Sequence, residues 1–89
     1  MENKKENLFG KEFKVLKELP RIYQKVGDDY PEYFWAYEED GLLSYCILDD
    51  NFCQPSPANR INTDYAKKLR ARSNKILEDL IEKEFIEVI

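Results

Sequence analysis

The chain has 89 residues, of which 43% are hydrophobic and 36% charged; it carries a net charge of −4 and no histidine. That length suits one domain over residues 1–89, with a small core and a stability of about 5 kcal/mol. Without histidine there are no Ser-His or Cys-His nucleophiles and none of the usual zinc sets, and three glycines leave no phosphate-cradling loop, so no enzyme, metal or cofactor is expected.

The start, MENKKENLFG, has two acids and no long apolar run, so no secretory signal is expected. No stretch of about 20 apolar residues occurs that would cross a membrane. Cys46 and Cys53 then read as reduced thiols of a cytoplasmic protein. Residues 1–7 are polar and expected to be disordered. From there Leu8, Phe9, Phe13, Leu16 and Leu19 recur at helical spacing. Pro20 should end or kink that helix near Glu18 and open a second, shorter one carrying Ile22, Tyr23 and Val26, with Gly27 as its stop.

Residues 33–39 and 42–48 are rich in rings and branched side chains. Asp40 and Gly41 between them favour a two-residue type I′ turn, which predicts an antiparallel hairpin. Its register pairs Trp35 with Cys46, Phe34 with Ile47 and Tyr37 with Ser44. One face shows Tyr33, Trp35, Tyr37, Leu42, Cys46 and Leu48; the other shows Phe34, Ala36, Leu43, Tyr45 and Ile47. A competing reading makes residues 31–40 a helix started at Asp29 and capped by Gly41. Residues 51–60 read as a loop. Thr63 should cap a long helix to about Glu84 with a stripe of Leu69, Ser73, Ile76 and Leu80. Residues 85–89 suit either a short strand beside the hairpin or a helical tail. The expected fold is therefore α+β: a small two-layer domain with an N-terminal helix or helices, a central antiparallel β-hairpin and a long C-terminal helix. Trp35, Leu43, Cys46, Ile47, Leu69, Ile76 and Leu80 are its core candidates.

Charge alternates along the chain in four blocks: net +3 over residues 1–27, −8 over 28–50, +5 over 51–75 and −4 over 76–89. The acidic block, DDYPEYFWAYEEDGLLSYCILDD, has no Lys or Arg and six of the twelve aromatics. Two readings follow. Two greasy hairpin faces can be sandwiched between helices, or one stays open as a partner site, since Tyr and Trp offer rigid area with a polar tip. Carboxylates at the turn and at the open end would then attract a basic protein surface. This predicts a small non-catalytic interaction module, an inhibitor or regulator of a nucleic-acid-binding protein, docking through Tyr33, Trp35, Tyr37, Glu38, Glu39, Asp40, Asp49 and Asp50. In composition alone it resembles small acidic inhibitors carried by phages.

The alternative is a compact DNA-binding regulator using the basic helix face of residues 60–75. Lys68, Arg72 and Lys75 share one helical face there, with Lys67 and Arg70 on flanking rows. A helix-turn-helix cut at residues 70–72 lacks a turn glycine, and overall acidity disfavours phosphate binding. The basic end can instead neutralise the acidic block within the fold, or within a homodimer.

Overall fold

At the N-terminus a two-residue period prevails over the helical one. Phe13 and Val15 turn inward while Lys14 and Leu16 turn out, which is the pattern of a strand with one buried face. The computed structural model of the protein describes residues 8–29, 31–49 and 54–89. Its elements are strands β1 (Phe13–Val15), β2 (Ile22–Lys25), β3 (Tyr33–Glu39) and β4 (Leu42–Leu48), a 3-10 turn (Pro57–Asn59), helix α1 (Asp64–Glu82) and strand β5 (Ile86–Val88). All strand pairs are antiparallel, in the order β2-β3-β4-β1-β5. The Cα envelope measures 36 × 33 × 17 Å, and its short axis suits one sheet with one layer of helix.

This corrects the expected architecture. No helix precedes the hairpin among the described residues. Residues 8–25 supply two strands and their connections, so the hairpin is not held between helices at both ends. Two local features oppose a helix there. Gly10 sits at φ 106, outside the right-handed region, and Pro20 interrupts the run. The apolar spacing that suggests a helix also fits a strand, and pairing with the distant β5 decides between them: Phe13 with Val88, Lys14 with Glu87 and Val15 with Ile86. Residues 85–89 accordingly contribute a strand beside β1 and not beside the hairpin. The expected disorder of residues 1–7 and the reading of Cys53 fall outside the described residues.

The hairpin has the expected register, Trp35 to Cys46, Phe34 to Ile47 and Tyr37 to Ser44, so residues 33–39 are strand and not helix. Asp40 (φ 56) and Gly41 (φ 84) both lie in the left-handed region that a type I′ turn requires, and Glu38 Oε2 accepts the Gly41 N–H at 3.1 Å. α1 begins at Thr63, whose Oγ1 accepts the Ala66 N–H at 3.1 Å. It buries Ala66, Leu69, Ser73, Leu77 and Leu80 against Phe13, Phe34, Ala36, Leu43, Ile47 and Ile86. Of the core candidates, Leu43, Ile47, Leu69 and Leu80 are buried there and Ile76 packs on the margin. Trp35 and Cys46 are not in this core.

Two polar side chains fasten the edges of the core. The Tyr45 hydroxyl accepts from the Gly10 N–H (2.7 Å) and donates to the Lys11 carbonyl (2.5 Å), drawing the chain before β1 onto β4. Burial raises the pKa of that phenol, so it stays a donor at any physiological pH. Further along β4, the Asn59 amide does the work of a missing strand. It accepts the Ile47 N–H (2.9 Å) and donates to the carbonyls of Ile47 (2.8 Å) and Ser56 (2.7 Å).

Candidate interaction surface

α1 covers one face of the sheet, and no described helix covers the other. The strand register arranges that second face in rows. Lys25, Tyr33 and Leu48 form one row; Tyr23, Trp35 and Cys46 the next; then Tyr37 and Ser44; then Glu39, Leu42, Lys14 and Glu87. Its centre is a ladder of rings. Tyr23 stacks on Trp35 (centroids 6.1 Å, interplanar angle 16°), and Trp35 lies against Tyr37 (4.8 Å, 33°). The Arg21 guanidinium sits 5.7 Å from the Tyr37 ring centre, within cation–π range. Tyr23 is 55% exposed and Trp35 partly so. Trp35 Nε1 is buried between its neighbours with no hydrogen-bond partner among the described residues. A donor in that state is costly, and a folded protein usually provides it an acceptor. Cys46 lies on the same face as a free thiol, its pKa raised by burial, which leaves it protonated and unreactive.

The acidic residues divide into two groups. Glu38, Glu39 and Asp40 stand exposed at the hairpin turn, and no Lys or Arg among the described residues is ion-paired to them. At the other end, the protein's own bases take Asp28: Lys68 hydrogen-bonds to Oδ2 and Arg72 pairs with Oδ1 at 2.8 Å. Glu32 is structural as well, accepting from Tyr65 (2.8 Å) and Ser56 (2.8 Å) and so tying β3 to α1 and the 3-10 turn. Burial, together with this carboxylate, raises the Tyr65 pKa. Asp49 follows β4, and its amide donates to the Gln54 carbonyl at 3.1 Å. Asp50 lies outside the described residues. The candidate site is therefore a ring ladder with one acidic end, and not a ladder with carboxylates free at both.

The bases of α1 are largely occupied. Arg70 donates to the carbonyls of Ala58 and Ile61 (2.8 Å for the latter) and pins the 3-10 turn. Arg72 donates to the Val26 carbonyl at 2.7 Å besides pairing with Asp28. Lys67 and Lys75 remain exposed. Of the five helix bases in the alternative phosphate-binding stripe, three are thus engaged within the chain.

Hydrogen bonds from Arg72 and Lys68 lower the Asp28 pKa to about 2. A depressed carboxylate pKa adds stability above the unfolded value of about 3.9, and that increment is lost as pH falls through the folded value of about 2. Asp28→Asn should therefore flatten the acid limb of a thermal-stability profile between pH 4 and pH 2, with little change in its shape above pH 5. An unchanged acid limb in that variant would show that the triad contributes nothing.

Tyr23, Arg21 and Lys25 are residues of this candidate face that the helical reading of the N-terminus missed. Their signal is the alternation in Arg21-Ile22-Tyr23-Gln24-Lys25-Val26, where the apolar Ile22 and Val26 fall on the inner positions. Among the described residues no three His, Cys, Asp or Glu side chains converge as a metal site, and no helix is long and apolar enough to cross a membrane. No protein family, curated protein or solved structure matches the chain.

Proposed function

We propose that the protein is a small cytoplasmic interaction module without catalytic activity. The sheet face that α1 leaves uncovered docks a partner protein, and the acidic turn meets a basic patch on that partner, such as a nucleic-acid-binding protein carries. The observation that carries this reading is the single-sided packing of the sheet. Three rings, Tyr23, Trp35 and Tyr37, stack on the side away from the core, and this ladder runs toward Glu38, Glu39 and Asp40. Rigid aromatic area at the centre with charge at the rim is the usual composition of an energetic hot spot. Internal use of Lys68, Arg70 and Arg72 supports a protein partner over a DNA partner, because phosphate affinity depends on bases that are free to neutralise charge.

The test begins with affinity capture from host extract treated with nuclease, followed by calorimetry with the purified captured protein. Trp35→Ser and the double change Glu38→Lys with Glu39→Lys should each weaken binding by about tenfold or more. Lys67→Glu, on the opposite side of the molecule, should leave it unchanged, and circular dichroism should show all variants folded. Equal affinity in all variants, or loss of binding with Lys67→Glu alone, would move the site off this face.

A further inference from the structure

A second surface adjoins the ring ladder around the β2 edge of the sheet. Between β2 and α1 runs an open groove of about 490 Å³. Ile76 and Val26 form its apolar floor, Arg72 and Lys75 stand along its helix side, and Lys25 lines its open rim on the outermost strand. The single carboxylate lining it, Asp79, is bridged to Lys83 at 3.1 Å. Arg72 is fixed in place by the Val26 carbonyl and by Asp28, whereas Lys25 and Lys75 are exposed with no carboxylate partner among the described residues. The groove is thus a cationic slot in a chain whose net charge is −4.

The backbone beside it is suited to an extended ligand. β2 is the outermost strand on its side of the sheet. Val26 donates its N–H to the Glu32 carbonyl (2.7 Å), so Val26 turns toward β3. By the alternation of an antiparallel ladder, the amide and carbonyl of the preceding residue, Lys25, turn away from the sheet. A segment lying along β2 meets that amide and carbonyl and drops every second side chain toward Ile76.

We propose that this groove binds an extended acidic peptide segment of another protein, with its carboxylates on Lys25 and Lys75 and an apolar side chain over Ile76. The charge of the slot selects that occupant: a basic strand would meet three like charges, while an acidic one finds a fixed guanidinium and two ammonium groups with no carboxylate partner among the described residues. Lys25 also ends the outermost row of the ring-ladder face, so the two sites adjoin at the β2 edge and share that residue alone.

The experiment is an amide-resolved NMR titration of the full chain with two short capped peptides, one alternating Glu and Val and the other alternating Lys and Val. The Glu-Val peptide should shift amides of residues 22–27 and 72–79, with an affinity that falls as salt rises, and the Lys-Val peptide should not. Lys25→Gln with Lys75→Gln should weaken the Glu-Val interaction by about tenfold, and Trp35→Ser should leave it unchanged. No shift with either peptide, equal shifts with both, or shifts confined to the Trp35 rows would overturn the proposal. Stronger shifts of the same amides with an oligothymidylate would assign the groove to nucleic acid instead. Self-association in sedimentation that the same double variant abolishes would assign it to the acidic turn of a second copy.

Discussion

Phe34→Ala is expected to leave the domain unfolded or nearly so at room temperature, while Trp35→Ser, one residue along, leaves it folded. Phe34 has no exposed surface, and its ring meets Tyr45 (5.9 Å) and Phe9 (6.5 Å) beneath α1. Truncating a buried phenylalanine costs about 3–5 kcal/mol, comparable to the whole stability of a domain this small. Trp35 lies on the face α1 does not cover. Its loss removes ring stacking worth about 0.5–1.5 kcal/mol per pair and also removes an indole N–H that has no acceptor among the described residues. Urea denaturation of both variants, followed by far-UV circular dichroism, measures the contrast. Equal losses would mean that both faces of the hairpin are core, and the docking surface proposed for Trp35 would go with them.

Asn59→Leu should cost about 2–3 kcal/mol although it keeps the branching and heavy-atom count of the side chain, because it leaves the Ile47 amide in the interior without an acceptor. The Ile47 carbonyl loses less, since the Ser56 N–H still reaches it at 2.7 Å. The effect should be local as well as global: hydrogen exchange at Ile47 should accelerate more than at Phe34, which keeps its pairing with Gln24 on β2. Asn59→Asp retains an acceptor for Ile47 and lacks the two donors, so its stability should fall between those of Leu and Asn. If Asn59→Leu unfolds at the same urea concentration as the wild type, the amide is not substituting for a strand.

The parts of this fold that were legible in sequence are those fixed by near neighbours in the chain. Asp40 and Gly41 determine the turn, the turn determines the register, and the register separates the side chains of the two faces correctly. Thr63 likewise marks the start of α1. The side of the hairpin that turns inward could not be read, because both sets are apolar; it is settled by where α1 packs, some thirty residues downstream. The N-terminal strands were illegible for a related reason. Leu8, Phe13, Leu16 and Leu19 satisfy a helical spacing, and β1 is a strand because residues 86–88 arrive beside it. At the candidate site, the rings of β3 were legible as one face. Tyr23, Arg21 and Lys25 were not, since recognising them requires knowing that residues 22–25 pair with residues 33–36. The occupied state of Asp28 was foreseeable only as block-wise charge balance, because its partners lie 40 and 44 residues away in the chain.

The pairing of β1 with β5 also bears on how the molecule is made. β1 is in ladder register with β4 at a single residue pair, Lys14 with Leu42, and gains three more only from Ile86–Val88. On a ribosome β1 emerges first, and Phe13 waits for a strand synthesised after the hairpin and α1. The nascent chain therefore carries an incomplete sheet until Ile86–Val88 has been synthesised.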